Sequence, residues 1–183
     1  MYALGIIDAQ NDFMNPDGAL AVPGADAIKS DLVALYLSHI ENGTPIFFTA
    51  DCHKADDEEL STNGGPFPPH CMEGTKGQQL IDGLWNNRPN KAPIFTKQHY
   101  DVFHETLGSK EIVSWLKANR ITEVELVGVV GNICVQAAAL GFIRKHDIRV
   151  IILNDYVVWM DIDENNNEAK ARKTLTVAGV TFH

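Results

Sequence analysis

The chain has 183 residues, a length that one hydrophobic core serves, and 45% hydrophobic against 21% charged residues is the balance of an ordinary globular domain. Disorder, collagen and coiled coil fit that composition poorly. Fifteen Lys and Arg against 24 Asp and Glu leave a net charge of −9, which argues against nucleic acid and anionic membrane as partners, because phosphate binding needs a basic surface.

In chain order the pattern is an alternation. Residues 2–8 (YALGIID) form a short apolar run ending in an acid, as a buried parallel strand does. Ile28, Leu32, Leu35 and Leu37 predict a helix over 25–41 with Gly43 as its stop, and 45–51 (PIFFTAD) reads as a second strand. Residues 52–77 form a long irregular stretch holding Pro66, Pro68, Pro69 and four glycines; loops of that length in a compact domain are usually functional. A third strand is expected at 92–97, and a helix at 109–120 opened by Ser109 as N-cap. A fourth strand follows at 123–129, a small-residue helix at 132–146, a fifth strand at 148–155, a helix at 164–178 and a short last strand in VTFH. The expected fold is therefore α/β: one domain over 1–183, with a mostly parallel six-stranded sheet and helices on both faces.

Residues 124–143 are long enough to suggest a membrane span, but Glu125, Asn132, Gln136 and three glycines interrupt them, and they read as a buried strand running into a buried helix. The first ten residues lack a basic region and meet Asp8, so no signal peptide is expected, and the Asn42-Gly43-Thr44 sequon then means little. Three cysteines without a CxxC pair point to a reducing, cytoplasmic compartment.

In parallel α/β sheets the ligand sits beyond the carboxyl ends of the strands, where this chain places Asp8, Asp51, Lys97 and the turn at 129–134. Singly these residues read as a turn aspartate, a surface lysine and a small buried cysteine. Together, Asp8, Lys97 and Cys134 suit acyl transfer from an amide. A free thiol with pKa about 8.5 needs activation, which a helix N-terminus and an ammonium favour. An aspartate beside it can take the proton and return it to a leaving amine, and the glycine-containing turn can offer an oxyanion hole. Asp51 and His53, two apart at a strand end, share a side, and His70 returns from the loop. One carboxylate and two imidazoles suit a divalent ion, Zn²⁺ first, Fe²⁺ or Mn²⁺ as alternatives, with Glu58 or Glu59 a weak extra ligand. The acidic run Asp56–Glu59 otherwise reads as a solvated loop. Cys52 and Cys71 read as packing residues; His99, His104 and His146 read as surface or packing histidines. Phe13, Phe67 and Tyr100 are candidates to line a pocket for a flat aromatic substrate.

At IIDAQNDF, TADCH, FPPHCMEGTKG, FTKQHYDVF and VGVVGNICV, in the same order across nearly the whole chain, the sequence resembles the isochorismatase-like cysteine hydrolases, and within them the nicotinamidases. The resemblance implies a catalytic triad of Asp8, Lys97 and Cys134. It also implies a cis peptide between Val129 and Val130, with the amides of Val130 and Cys134 as oxyanion donors. Isochorismatases proper lack this cysteine, so Cys134 argues against that activity. The Asp51-x-His53 pair with His70 matches the nicotinamidase metal loop, whose ion binds the pyridine nitrogen, and of the two glutamates Glu59 is the weak extra ligand that this resemblance favours. The resemblance thus implies a small-molecule amide substrate, nicotinamide with pyrazinamide also accepted, and often a homo-oligomer of two or four chains. Three features depart from the family pattern: Gly131-Asn132 replaces Thr-Asp, Phe67 replaces Trp, and 156–167 is unusually acidic and polar. Two other readings stay open: the same fold acting on another small amide such as a carbamoyl or ureido compound, or a catalytically silent relative that keeps the metal loop.

Overall fold

Six parallel strands line up in the order β3-β2-β1-β4-β5-β6 in the computed structural model, which describes residues 1–87, 92–104 and 107–183. They are β1 (Tyr2–Ile7), β2 (Ile46–Asp51), β3 (Ile94–Lys97), β4 (Glu123–Gly128), β5 (Arg149–Val157) and β6 (Thr181–Phe182). Every pairing is parallel, and adjacent rows run Ile7↔Thr49, Ile7↔Gly128 and Asp51↔Lys97.

Alternation along each strand builds two cores. Ile7 and Phe47 point into one layer with Phe95, Phe142 and Leu175, while their neighbours Ile6 and Phe48 point into the other with Leu32, Tyr36 and Leu84. The first layer lies under α4 (Leu107–Ala118), α5 (Gln136–His146) and α6 (Glu168–Ala178), and the second under α2 (Lys29–Glu41) and α3 (Asp82–Trp85). Sheet strands buried on both faces explain why β1 and β2 read as continuous apolar runs.

Several local expectations differ from the structure. The helix at 25–41 is a 3₁₀ turn over Ala25–Ile28 followed by α2. Leu37 is exposed there, because it sits about 140° around the helix from Leu32, while Tyr36, one turn on from Leu32, is buried. Ser109 lies inside the first turn of α4, which starts at Leu107, and is not its cap. α6 begins at Glu168 rather than 164, capped by Asn167, whose side chain accepts the Lys170 N–H. The short α1 (Asn11–Met14), α3 and the 3₁₀ turn Ser61–Asn63 carry too few residues for a periodic signal. Among the described residues no helix is long and apolar enough to cross a membrane.

Candidate active site

Asp8 follows β1 with φ 50°, a left-handed conformation that turns the chain out of the sheet. Thr49 Oγ1 donates to Asp8 Oδ1 at 2.6 Å. Lys97, at the end of β3, is buried, and its Nζ lies 2.8 Å from Asp8 Oδ2 and 3.6 Å from Cys134 Sγ. Nζ also pairs with Asp51 Oδ1. One ammonium thus joins the ends of three strands to the thiol.

Cys134 sits in a π-helical turn, Gly131–Val135, rather than in the α-helix that begins at Gln136. The Val129–Val130 peptide ahead of that turn is cis. Burial pushes the Cys134 thiol well above its usual range; Lys97 opposes the shift, while Asp8 and Asp51 add to it. This differs from the expectation that the ammonium and the helix start leave a ready thiolate: at a buried site the desolvation of a sulfur anion outweighs the nearby ammonium. Burial likewise raises the Asp8 carboxyl against the pull of Lys97. Burial disfavours charge on Lys97, but Asp51, Asp8 and Cys134 together outweigh it and hold the ammonium well above the usual lysine range. Burial thus favours the neutral Cys134 thiol and makes the Asp8 carboxyl take up protons more readily than an exposed one.

Asp51, His53 and His70 are all buried and offer ligand atoms within 4.8 Å of one another. His53 Nδ1 is hydrogen-bonded to Asp57 Oδ2 at 3.0 Å, leaving Nε2 buried with no hydrogen-bond partner. His70 Nδ1 donates to the Pro68 carbonyl at 2.8 Å, which turns its other nitrogen toward the cluster. An orphaned buried imidazole nitrogen beside a second imidazole and a carboxylate fits a divalent ion. Glu59 Oε2 lies 3.7 Å from His53 Nε2, close to this group but outside the three-residue cluster. Asp51 serves both clusters, one oxygen on Lys97.

A cavity of about 280 Å³ is reached by Cys134 from the first cluster and by Asp51 and His70 from the second. Phe13, Phe67 and Tyr100 all line it, as do Val129, Val130 and Cys134. Phe13 and Phe67 flank the His70 ring at 5.7 and 6.0 Å, and the Tyr100 ring stands 6.3 Å from Phe67. Cys52 is half-buried and Cys71 buried; neither lines this cavity, and burial drives the Cys71 thiol far up. His99 and His104 stack on each other at 4.0 Å on the surface, and His146 packs on Phe103.

Sequence reasoning missed the supports. Gln10 Nε2 donates to the Asp51 carbonyl at 2.8 Å and its Oε1 accepts the Asp51 N–H at 2.7 Å, fixing the backbone of Asp51. Asp57, part of the run read as a solvated loop, holds His53 and accepts from the Lys54 N–H and Gln98. Its position four residues after His53 was the available signal. Asp12 accepts the Cys71 N–H at 2.7 Å and so steadies the chain just after His70.

Residues 2–181 match the family model of the isochorismatase domain. The chain belongs to that family. Over the full length of this isochorismatase-family hydrolase, the zinc complex of Pyrococcus horikoshii pyrazinamidase superposes with TM-score 0.86 at 30% identity, covering 100% of this chain and 98% of the other. The nicotinamidase/pyrazinamidase of Mycobacterium tuberculosis is 26% identical, with 97% of each chain covered. N-carbamoylsarcosine amidase from Thermoplasma acidophilum is 28% identical with TM-score 0.78, covering 99% and 94%.

Proposed function

We propose that this hydrolase opens the carboxamide of nicotinamide, giving nicotinate and ammonia, and accepts pyrazinamide as well. The observation that carries the reading is Lys97 Nζ within 2.8 Å of Asp8 and 3.6 Å of Cys134 Sγ, with Cys134 lining the same cavity as Asp51 and His70 of the Asp51–His53–His70 cluster. Relatives that are amidases support the same reading.

The Cys134 thiol gives its proton to Asp8 as Sγ attacks the carboxamide carbon, and the amides of Val130 and Cys134 receive the negative oxygen. Asp8 passes that proton to the amine, the C–N bond breaks, and ammonia leaves a thioester on Sγ. Asp8 then takes a proton from water, whose oxygen attacks the thioester carbon; the C–S bond breaks and the proton returns to sulfur. Lys97 stays charged throughout, compensating the carboxylate or thiolate at each stage. Phe13, Phe67 and Tyr100 supply aromatic faces for a flat ring. Asp51, His53 and His70 would hold the divalent ion, zinc by preference, which when bound supplies a Lewis-acid anchor for a ring nitrogen. In a cytoplasmic setting the product would return the pyridine ring to dinucleotide synthesis.

Ammonia release from nicotinamide, with Cys134→Ala and chelated samples in parallel, tests the proposal. Release that Cys134→Ala abolishes and chelation reduces is the expected result. Retained turnover in Cys134→Ala rejects the mechanism, and release only from a carbamoyl compound moves the substrate.

A further inference from the structure

Asn132 lies two residues before Cys134 and is 5% exposed. Its Nδ2 donates to Asn166 Oδ1 at 2.6 Å, and its Oδ1 accepts the Met160 N–H at 3.1 Å. One residue earlier, the Gly131 N–H donates to the Val158 carbonyl at 2.8 Å, and the Trp159 indole stands where a Cβ on residue 131 would sit. The Arg172 guanidinium lies 4.3 Å from the centre of the Trp159 ring, a cation–π contact that helps fix the indole. The turn that carries the thiol is therefore fastened to the segment after β5 at three consecutive residues, 158–160, and again at Asn166.

That segment forms part of the cavity wall through Met160 and Ile162. Its residues brace one another: the Ile162 N–H donates to the Asn166 carbonyl at 2.9 Å, and Asp163 Oδ1 accepts the N–H groups of Asn165 and Asn166. A segment braced in this way moves as a unit with whatever holds Asn166 and Met160. Both are held by the two ends of a single carboxamide.

We propose that Asn132 is a positioning residue that sets the width of the acyl pocket, by clamping the Met160–Ile162 wall to the turn bearing Cys134. The inference rests on the reading of Cys134 as the attacking thiol. Asn132 touches no reacting atom; it decides how large a ring reaches Sγ. Releasing the clamp lets the wall retreat, so bulky reagents gain more access than small ones. A purely structural loosening of the turn would change both alike.

The test compares alkylation of Cys134 by iodoacetamide and by the bulkier N-phenyliodoacetamide in the whole protein, with the modified residue identified by peptide mass spectrometry. The ratio of the bulky to the small rate constant is expected to rise at least ~5-fold in Asn132→Ala and in Asn166→Ala. Asn166→Asp keeps an acceptor for Asn132 Nδ2, so its ratio should stay within ~2-fold of the wild type. For nicotinamide, Asn132→Ala should raise KM more than it lowers kcat. Equal changes with both reagents, or none, overturn the proposal. If Asn132→Ala does not fold, the Asn166 pair decides alone. A shifted alkylation ratio in a protein that releases no ammonia from nicotinamide would discard that substrate and keep the clamp.

Discussion

Asp8 is the residue whose chemistry is most exposed to its neighbours. Burial raises its carboxyl above the ordinary 3.8, while Lys97 and the Thr49 hydroxyl pull it down. The proposed mechanism needs Asp8 ionised in the free enzyme. A raised pKa keeps the proton bound to higher pH, so kcat/KM should fall on the acid side at a pH above that of an exposed aspartate. Thr49→Val removes a hydrogen bond to the charged form. Such bonds contribute about 1.5–3 kcal/mol, and one pH unit corresponds to about 1.4, so the acid limb should move up by roughly 1–2 units. A pH series of kcat/KM on both proteins measures it as an apparent, shared titration of the cluster. A limb that stays put or moves down would mean that Asp8 is not the group titrating there.

At the scale of elements, the join between β1 and β4 controls where the thiol sits. Gly128 ends β4 at φ 113°, and a Cβ there would strike the Ile7 carbonyl oxygen. Gly24 is also left-handed, at φ 83°, but a Cβ on it meets nothing within 4 Å. Gly24→Ala should thus cost about 1–2 kcal/mol from backbone conformation alone, and Gly128→Ala clearly more, because β1 and β4 must part. Urea denaturation of the two variants checks the order; equal losses would show that β1 absorbs the extra atom. All six strands and the long helices were legible in the sequence, since runs such as 46–51 carry apolar residues that only a doubly covered sheet can bury. The strand-end residues were legible for the same reason: a polar residue closing an apolar run is visible locally. Gln10, Thr49 and Asn132 were not, because their partners lie 41, 41 and 28–34 residues away and no spacing records a pairing made only by the fold. The raised Cys134 thiol was hidden too, since enclosure is a property of the assembled cavity.

Across the whole molecule, strand order explains why four distant residues meet. β3, β2, β1 and β4 are consecutive in the sheet, and each delivers one group at its carboxyl end: Lys97, Asp51, Asp8 and, one turn on, Cys134. Neighbouring strands lie about 4.8 Å apart, so a group on β3 must cross β2 to reach β1, and a lysine stem is long enough to do so. The same geometry makes Asp51 the residue common to the Asp8–Lys97–Cys134 group and the Asp51–His53–His70 cluster, whose histidines lie on either side of a loop that crosses the molecule's surface from His53 to His70. An ion bound there ties β2 to the far end of that loop in the folded state alone. At a free concentration about 100 times its Kd, zinc should add about 2.7 kcal/mol, or roughly 5–11 °C in Tm for a chain of this length. Thermal unfolding of zinc-loaded and chelated protein measures the difference, and Asp51→Ala should lose most of it. A zinc-induced shift that survives intact in Asp51→Ala would place the ion elsewhere and remove the buried carboxylate from the ligand set.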